Sequence, residues 1–132
     1  MLRRQTVTIS GNSSQSCTGY TDAVVNGFLV GLQFTTGAST ASTGVLGTTG
    51  KIAITGERTG LAYYANTTGG AFPSNVFPVC QLSSTAGTIL GDTTAPLVSF
   101  FPVVEERIKI ETSGGTSDAA YLLYVNVLTQ GA

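Results

Sequence analysis

The chain has 132 residues, of which 42% are hydrophobic and only 10% are charged, with a net charge of −1 and no histidine. An ordinary soluble domain carries about 25% charged residues, so much of this surface must be built from small, hydroxyl-bearing and apolar side chains. The apolar content argues against intrinsic disorder, and the length fits one domain over residues 1–132. Without histidine, His-based acid–base and triad catalysis are excluded.

The N-terminal segment begins with a basic pair and continues into a short alternating stretch. Residues 6–10 alternate polar and apolar side chains, which predicts the first strand. Residues 1–6, which include Arg3 and Arg4, are interpreted as an N-terminal arm. No apolar stretch of the kind found in a signal peptide follows the basic residues, and we expect no secretory signal. No run of residues is long and apolar enough for a membrane span.

The next apolar run covers residues 24–34 and contains two glycines. It predicts a strand, or a hairpin in which Asn26 and Gly27 form a type I′ turn. A glycine inside a strand also indicates a bulge or a close approach of two backbones. Residues 35–49 are rich in Gly, Ser and Thr, and we expect a long flexible loop there.

The middle of the chain repeats this pattern of short strands and turns. Residues 51–55 alternate polar and apolar positions and predict a strand. Residues 56–60 predict a turn with a candidate ion pair between Glu57 and Arg58. Two aromatic–proline pairs follow, beginning at Phe72 and Phe77, and they are typical of an edge strand or an extended arm because proline is confined to such positions.

The last part of the chain predicts two strands joined by a glycine turn. Residues 107–111 alternate charged and β-branched side chains, residues 113–118 have turn composition, and residues 121–128 are apolar on both faces. A strand of the last kind is covered on both sides, by its own fold or by a partner. The whole pattern predicts an all-β protein: a single β-sandwich or jelly roll of about eight short antiparallel strands with long Gly/Ser/Thr loops.

Cys17 and Cys80 are the two cysteines. One interpretation is a pair of buried thiols, and the alternative is a disulfide that joins the N-terminal segment to the middle of the chain. Two cysteines without histidine cannot complete a zinc site within one chain. We therefore expect no metal or other cofactor.

The acidic residues give no pattern of paired catalytic carboxylates. Glu105 and Glu106 are neighbours and point to opposite faces of a strand. Glu106 shares the side of Ile108 and Ile110 at the start of the strand. We hypothesise that it either lies at the margin of the sheet or pairs with a buried arginine such as Arg58. These features favour a protein that is not an enzyme, with neither catalytic nor cofactor-binding residues.

The tyrosines allow two interpretations. Tyr63, Tyr64, Tyr121 and Tyr124 could form a face on which sugar rings stack, as in lectin-like modules. Alternatively they belong to the core or to an interface, which is the commoner place for tyrosine in a β-rich domain. The six basic residues are scattered, so we expect no direct contact with nucleic acid.

The order of these segments resembles small virion structural proteins of tailed bacteriophages, the capsid decoration (cement) and neck-region proteins. The resemblance is carried by residues 54–60, by residues 106–110 and by Gly114-Gly115, within a similar order of strands along most of the chain. It implies a non-enzymatic β-sandwich or jelly roll. Such a protein binds the outside of an assembled capsid as a dimer or trimer.

The resemblance implies that the partners are the major capsid protein and further copies of this chain. The location is the capsid surface of the virion, after synthesis in the bacterial host cytoplasm. The predicted partner contacts are Arg3, Arg4, Phe72, Phe77 and Tyr124. Either the N-terminal arm or the loop at residues 35–49 is expected to reach the shell. The alternatives are a neck or tail component of the virion and a carbohydrate-binding β-sandwich module.

Overall fold

A computed structural model describes residues 1–12, 16–36, 51–66, 75–81, 86, 91, 98–113 and 120–131. Within these ranges the chain is all-β. Its ten strands are, in chain order, β1 (Leu2–Asn12), β2 (Cys17–Tyr20), β3 (Val25–Thr36), β4 (Lys51–Gly56), β5 (Ala62–Asn66), β6 (Asn75–Val76), β7 (Val79–Gln81), β8 (Val98–Glu106), β9 (Ile108–Ser113) and β10 (Ala120–Gly131).

The strands form two antiparallel sheets, which confirms the predicted all-β fold and is consistent with a sandwich. The large sheet has the order β1-β10-β3-β8-β7, with the short β6 paired to β3, and the small sheet has the order β2-β9-β4-β5. The inner faces of both sheets supply one hydrophobic cluster. Its fully buried members are Ile9, Leu29, Leu32, Ile52, Ile54, Val103, Ile108, Ile110, Leu123, Val125 and Val127.

β10 lies near the middle of the large sheet, which accounts for its apolar sequence. Leu123, Val125 and Val127 are completely buried between the sheets. On the outer face, Tyr124 is half-buried, and Asn126 accepts a 2.6 Å hydrogen bond from the Thr6 hydroxyl on β1. One face of β10 is thus core, as a strand flanked by two neighbours requires.

The predicted N-terminal arm at residues 1–6 is wrong, because β1 begins at Leu2. The whole of β1 pairs with β10, with Arg3 opposite Thr129 and Arg4 opposite Leu128. Both arginines are exposed, and charged residues are characteristic of an edge strand. The basic pair therefore belongs to the edge of the large sheet.

β3 is one continuous strand, so the hairpin interpretation of Asn26-Gly27 is wrong and the bulge interpretation is confirmed. The pairing of β3 with β8 shifts between Val25 and Gly27. Gly27 has a φ of +142°, and a Cβ atom there would overlap the carbonyl oxygen of Gln130 on β10. Of the predicted loop at 35–49, residues 35 and 36 belong to β3 and residues 37–49 lie outside the described chain.

We predict that Gly27→Ala destabilises the fold by about 2 kcal/mol or more, because it combines an unfavourable backbone angle with a backbone clash. Gly131→Ala is the matched control, since a Cβ atom at Gly131 meets nothing within 4 Å. The free energies of unfolding from urea titrations test this. Equal stability of the two variants would contradict the close approach of β3 and β10.

Candidate functional site

The chain crosses from one sheet to the other between β8 and β9, and a buried carboxylate sits at this corner. Glu105 has a φ of +50°, in the left-handed region that residues with a Cβ rarely adopt. Glu105 is exposed to solvent, whereas Glu106 is only 4% exposed. Glu106 shares the inner side with Ile108 and Ile110, as the alternation predicted.

The Glu106 carboxylate is held by four hydrogen-bond donors from β5 and the β4–β5 turn. Oε2 accepts from the backbone N–H groups of Arg58 (3.1 Å) and Thr59 (2.9 Å). Oε1 accepts from the Thr59 hydroxyl (2.9 Å) and the Tyr63 hydroxyl (3.0 Å). The carboxylate also lies against Gly56, where a Cβ atom would overlap it. Glu106 therefore ties the β8–β9 corner to the β4–β5 turn.

These hydrogen bonds decide the charge state of Glu106. Burial raises the pKa of the carboxyl group, but the hydrogen bonds from Thr59, Tyr63 and the Arg58 N–H outweigh burial and leave the pKa below its ordinary value of 4.5. Burial, the hydrogen bond and the negative charge of Glu106 together raise the pKa of Tyr63. Near neutral pH the corner thus contains a carboxylate and a neutral phenol.

Arg58 contacts Glu106, but not in the predicted way. The contact is made by the backbone N–H, while the Arg58 guanidinium donates a 3.0 Å hydrogen bond to the carbonyl of Val104. The hypothesis of a buried Glu106–Arg58 ion pair is therefore wrong. Turn N–H groups can neutralise a carboxylate as effectively as a cation does, and a sequence does not reveal which N–H groups a turn will expose.

The predicted ion pair between Glu57 and Arg58 is also wrong, because Glu57 pairs with Arg107. The Arg107 guanidinium forms two hydrogen bonds with the Glu57 carboxylate, at 2.7 Å from Nε and 2.5 Å from the terminal nitrogen. It also lies 4.6 Å from the centre of the Tyr20 ring. The hydrogen bonds with Arg107 lower the pKa of Glu57. This half-exposed ion pair lies on the solvent side of the β8–β9 corner, and the buried Glu106 lies on its inner side.

The geometry of this corner supports a mechanical role. All four donors to Glu106 belong to β5 and the β4–β5 turn. Within the described ranges, no buried side-chain nitrogen or oxygen lacks a partner, and no group of three His, Cys, Asp or Glu residues could hold a metal ion. A fully engaged carboxylate fixes the position of two segments relative to each other.

Tyr63 and Tyr64 face the core and do not belong to a sugar-stacking face, which was one interpretation of the sequence. Tyr124 is half-buried on the outer face of the large sheet, and the Tyr121 side chain lies outside the described part of the structure. A bulge in β5 turns both Tyr63 and Tyr64 towards the core. Tyr63 stacks edge-on against Phe101, with ring centres 5.3 Å apart, and Tyr64 lies 6.0 Å from Phe34. Simple alternation assigns adjacent residues to opposite faces, so this bulge could not be read from the sequence.

The predicted partner contacts are spread over the large sheet. Arg4 and Tyr124 lie on its outer face, and Phe77 is 63% exposed with its ring beside Gly31. Arg3 is exposed at the end of the sheet, where it lines a shallow pocket with Asn26. The remaining predicted contact, Phe72, lies outside the described residues.

A larger exposed feature, absent from the sequence predictions, follows the outer side of β8. Along this strand the outward residues Val98, Phe100, Pro102 and Val104 are all exposed. Two exposed residues lie opposite this row, Val79 on β7 and Phe28 on β3. The outer apolar face, as we call it, consists of Phe28, Phe77, Val79, Val98, Phe100, Pro102 and Val104.

The small sheet presents the opposite character to solvent. Lys109 and Glu111 on β9 form an exposed ion pair of 3.5 Å, and the Glu57–Arg107 pair stands beside them. The outer apolar face contains no charged residue. Both described ion pairs thus lie on the side of the small sheet, whereas on the large sheet Arg3 and Arg4 are at the β1 edge, away from β8.

Cys17 and Cys80 form no disulfide, which confirms the interpretation as two thiols, but both side chains are half-buried where the sequence predicted buried ones. Cys17 lies in β2 of the small sheet and Cys80 in β7 of the large sheet. The Cys80 thiol is directed to the backbone carbonyl of Ser99, 3.5 Å away.

Comparison with known proteins gives no match: no protein-family model, no curated protein and no solved structure is significantly similar to this chain. Within the described ranges, no helix is long and apolar enough to cross a membrane.

We predict that Glu106→Gln lowers the free energy of unfolding by about 2–4 kcal/mol. The NH2 group of the amide would face hydrogen-bond donors at a position where a carboxylate oxygen accepts from them. Glu111→Gln serves as the control, since Glu111 is exposed and makes only a surface ion pair. Urea unfolding at pH 7 measures both. Similar stabilities for the two variants would rule out the corner as a major contributor.

The lowered pKa of Glu106 also predicts a specific acid sensitivity. The contribution of Glu106 is fully present above its ordinary pKa of 4.5 and is lost as the pH falls through the lowered pKa of the folded protein. Wild-type stability should therefore decrease more steeply than that of Glu106→Gln as the pH falls below the ordinary pKa of 4.5. Parallel curves for the two proteins would contradict the assignment. Glu57 contributes in the same direction in both.

Proposed function

We propose that this chain is a non-enzymatic virion structural protein, a capsid decoration or cement protein that binds an assembled shell and stabilises it across neighbouring subunits. The single observation that carries the proposal is the outer apolar face, an exposed and uncharged surface on one side of a rigid sandwich. Phe77 and Val104 in this face are 63% and 61% exposed. Contiguous apolar surface of this kind marks a contact with another molecule.

The rest of the surface is consistent with this proposal. The small number of charges leaves little electrostatic repulsion between copies that stand close together. The Glu106 hydrogen bonds fix the β8–β9 corner relative to the β4–β5 turn, which suits a protein with a structural role and no conformational change. On a shell, many copies repeat the same contact, so even weak individual contacts sum to firm attachment.

The basic pair on the edge strand β1 is proposed as a contact to the shell. Arg3 and Arg4 are exposed, and neither has an ion-pair partner among the described residues. Both are available to acidic groups on a neighbouring capsid subunit. Rim charges of this kind affect the rate and salt dependence of association more than its final strength.

We predict that replacing both arginines with alanine weakens binding to purified shells by about tenfold and reduces its dependence on salt. Lys51→Ala is the control, because Lys51 is an exposed cation on the small sheet. Co-sedimentation of the protein with shells at two salt concentrations measures the effect. Unchanged binding of the double variant would remove β1 from the contact.

The proposal itself is tested by counting copies in virions of the phage that encodes this chain. We expect a copy number close to that of the major capsid protein, measured by quantitative mass spectrometry. A count that corresponds to one ring would instead indicate a neck or tail component. No copies in the virion would overturn the proposal, and a glycan-binding screen would then test the carbohydrate alternative.

A further inference from the structure

We propose that the outer apolar face is the surface through which two copies of this chain associate, as a two-fold dimer. The inference rests on the proposed function for its biological setting: a dimer that buries this face leaves the exposed basic pair Arg3 and Arg4 on β1 as the contact to the shell. Its physical basis lies in four features of the large sheet: the size of the exposed face, the absence of charge, the straight row of residues on β8 and the short edge strand β7.

The size of the face is adequate for a specific interface. Its six large side chains are between 39% and 63% exposed, and they are Phe28, Phe77, Val79, Val98, Phe100 and Val104. Together they leave on the order of 500 Å² of apolar side chain in contact with water. Two such faces would remove on the order of 1,000 Å² on association, which is the lower bound for a specific protein interface.

The absence of charge makes the face compatible with itself. In a two-fold dimer each patch meets the same patch on the other copy, so a charged residue near the axis meets a like charge. No member of the outer apolar face is charged. Of the described charges, Arg58 donates to the Val104 carbonyl, Glu105 is the exposed neighbour of Val104, and Arg4 lies on the outer face of the same sheet at its β1 edge. Arg58 and Glu105 lie at one end of the row and have opposite signs.

The same charge pattern disfavours other occupants. A surface that docks on anionic lipid or nucleic acid needs a basic rim, whereas the described charges around this face, Arg4, Arg58 and Glu105, carry both signs. Partners that also exist free in solution use mixed, more polar surfaces, whereas permanent homodimers resemble a domain core cut in two. A face made of phenylalanine, valine and proline corresponds to the second type.

The geometry favours association through the face of the sheet. β7 contributes three residues and is too short for a long intermolecular ladder at the edge. By contrast, Val98, Phe100, Pro102 and Val104 form a continuous row along β8, flanked by Val79 and Phe28. Two rows related by a two-fold axis pack side chains against side chains in the manner of stacked sheets.

Sedimentation velocity and light scattering of the full chain over a range of concentrations test this inference. We expect a dimer whose dissociation constant changes less than about twofold between about 0.05 and about 0.5 M NaCl. Salt screens interactions between charges, and this interface contains none. Val98→Asp and Val104→Asp should each raise the dissociation constant at least about tenfold, because each places like charges across the axis.

The control variant is Leu61→Asp, since Leu61 is 46% exposed on the small sheet and Val98 is 48% exposed on the large one. It should leave the dimer unchanged, and circular dichroism should confirm that all three variants remain folded. If a variant at Val98 or Val104 unfolds, Val104→Thr supplies a milder change at an exposed strand position.

A monomeric wild-type protein at about 100 μM, or a dimer that Val98→Asp and Val104→Asp leave intact, would overturn the inference. Failure of the dimer leaves the copy-number test of the virion role unaffected. Conversely, a dimer that is absent from virions would preserve the interface and remove its proposed setting.

Discussion

The Glu106 carboxylate is the constraint on which the arrangement of both sheets depends. It sits where the chain passes from β8 in the large sheet to β9 in the small one, and it accepts hydrogen bonds from two backbone N–H groups and two hydroxyls. Regular alternation along β8 is interrupted next to this carboxylate, because Val104 and Glu105 are both exposed and Glu105 has a φ of +50°. With Glu106 held inside across this irregularity, Val103 is buried and Val104 is exposed.

The corner thus determines which side of β8 faces solvent. Its outward row is more apolar than its inward row, where Ser99 occupies one of the positions. A slip of one residue would bury Val98, Phe100 and Val104 and place Phe101 and Val103 outside. Hydrophobic burial alone would not oppose that slip, because both rows are apolar. A carboxylate with its own set of donors does oppose it, since Glu106 would lose its partners.

Much of the fold could be predicted from the sequence, because alternation is a local signal. The predicted strand at 51–55 lies within β4, and the predicted strand at 107–111 lies within β9 except for Arg107, which precedes it. The predictions failed where backbone geometry departs from regular alternation. The bulge in β5 brings Tyr63 and Tyr64 to the same side. An edge strand that carries Arg3 and Arg4 looks like an arm until its pairing with β10 is known.

The candidate site was only half predictable. The inward position of Glu106 followed from its phase with Ile108 and Ile110, but its partners did not, because turn N–H groups leave no trace in residue identity. The outer apolar face was missed since an apolar residue in a strand is normally assigned to the core. Only the pairing of β8 with β3 and β7 shows that Phe28, Val79 and Phe100 lie together on the outside.

The central claim is that the outer apolar face is a contact surface. Hydroxyl-radical footprinting tests it most directly, by comparing the dilute protein with the protein assembled with further copies or with the shell. Phe28, Phe77 and Phe100 should lose most of their reactivity on assembly, while Tyr20 and Leu61, which are exposed outside this face, should keep theirs. Unchanged reactivity of the three phenylalanines in the assembly, with protection elsewhere, would contradict the account.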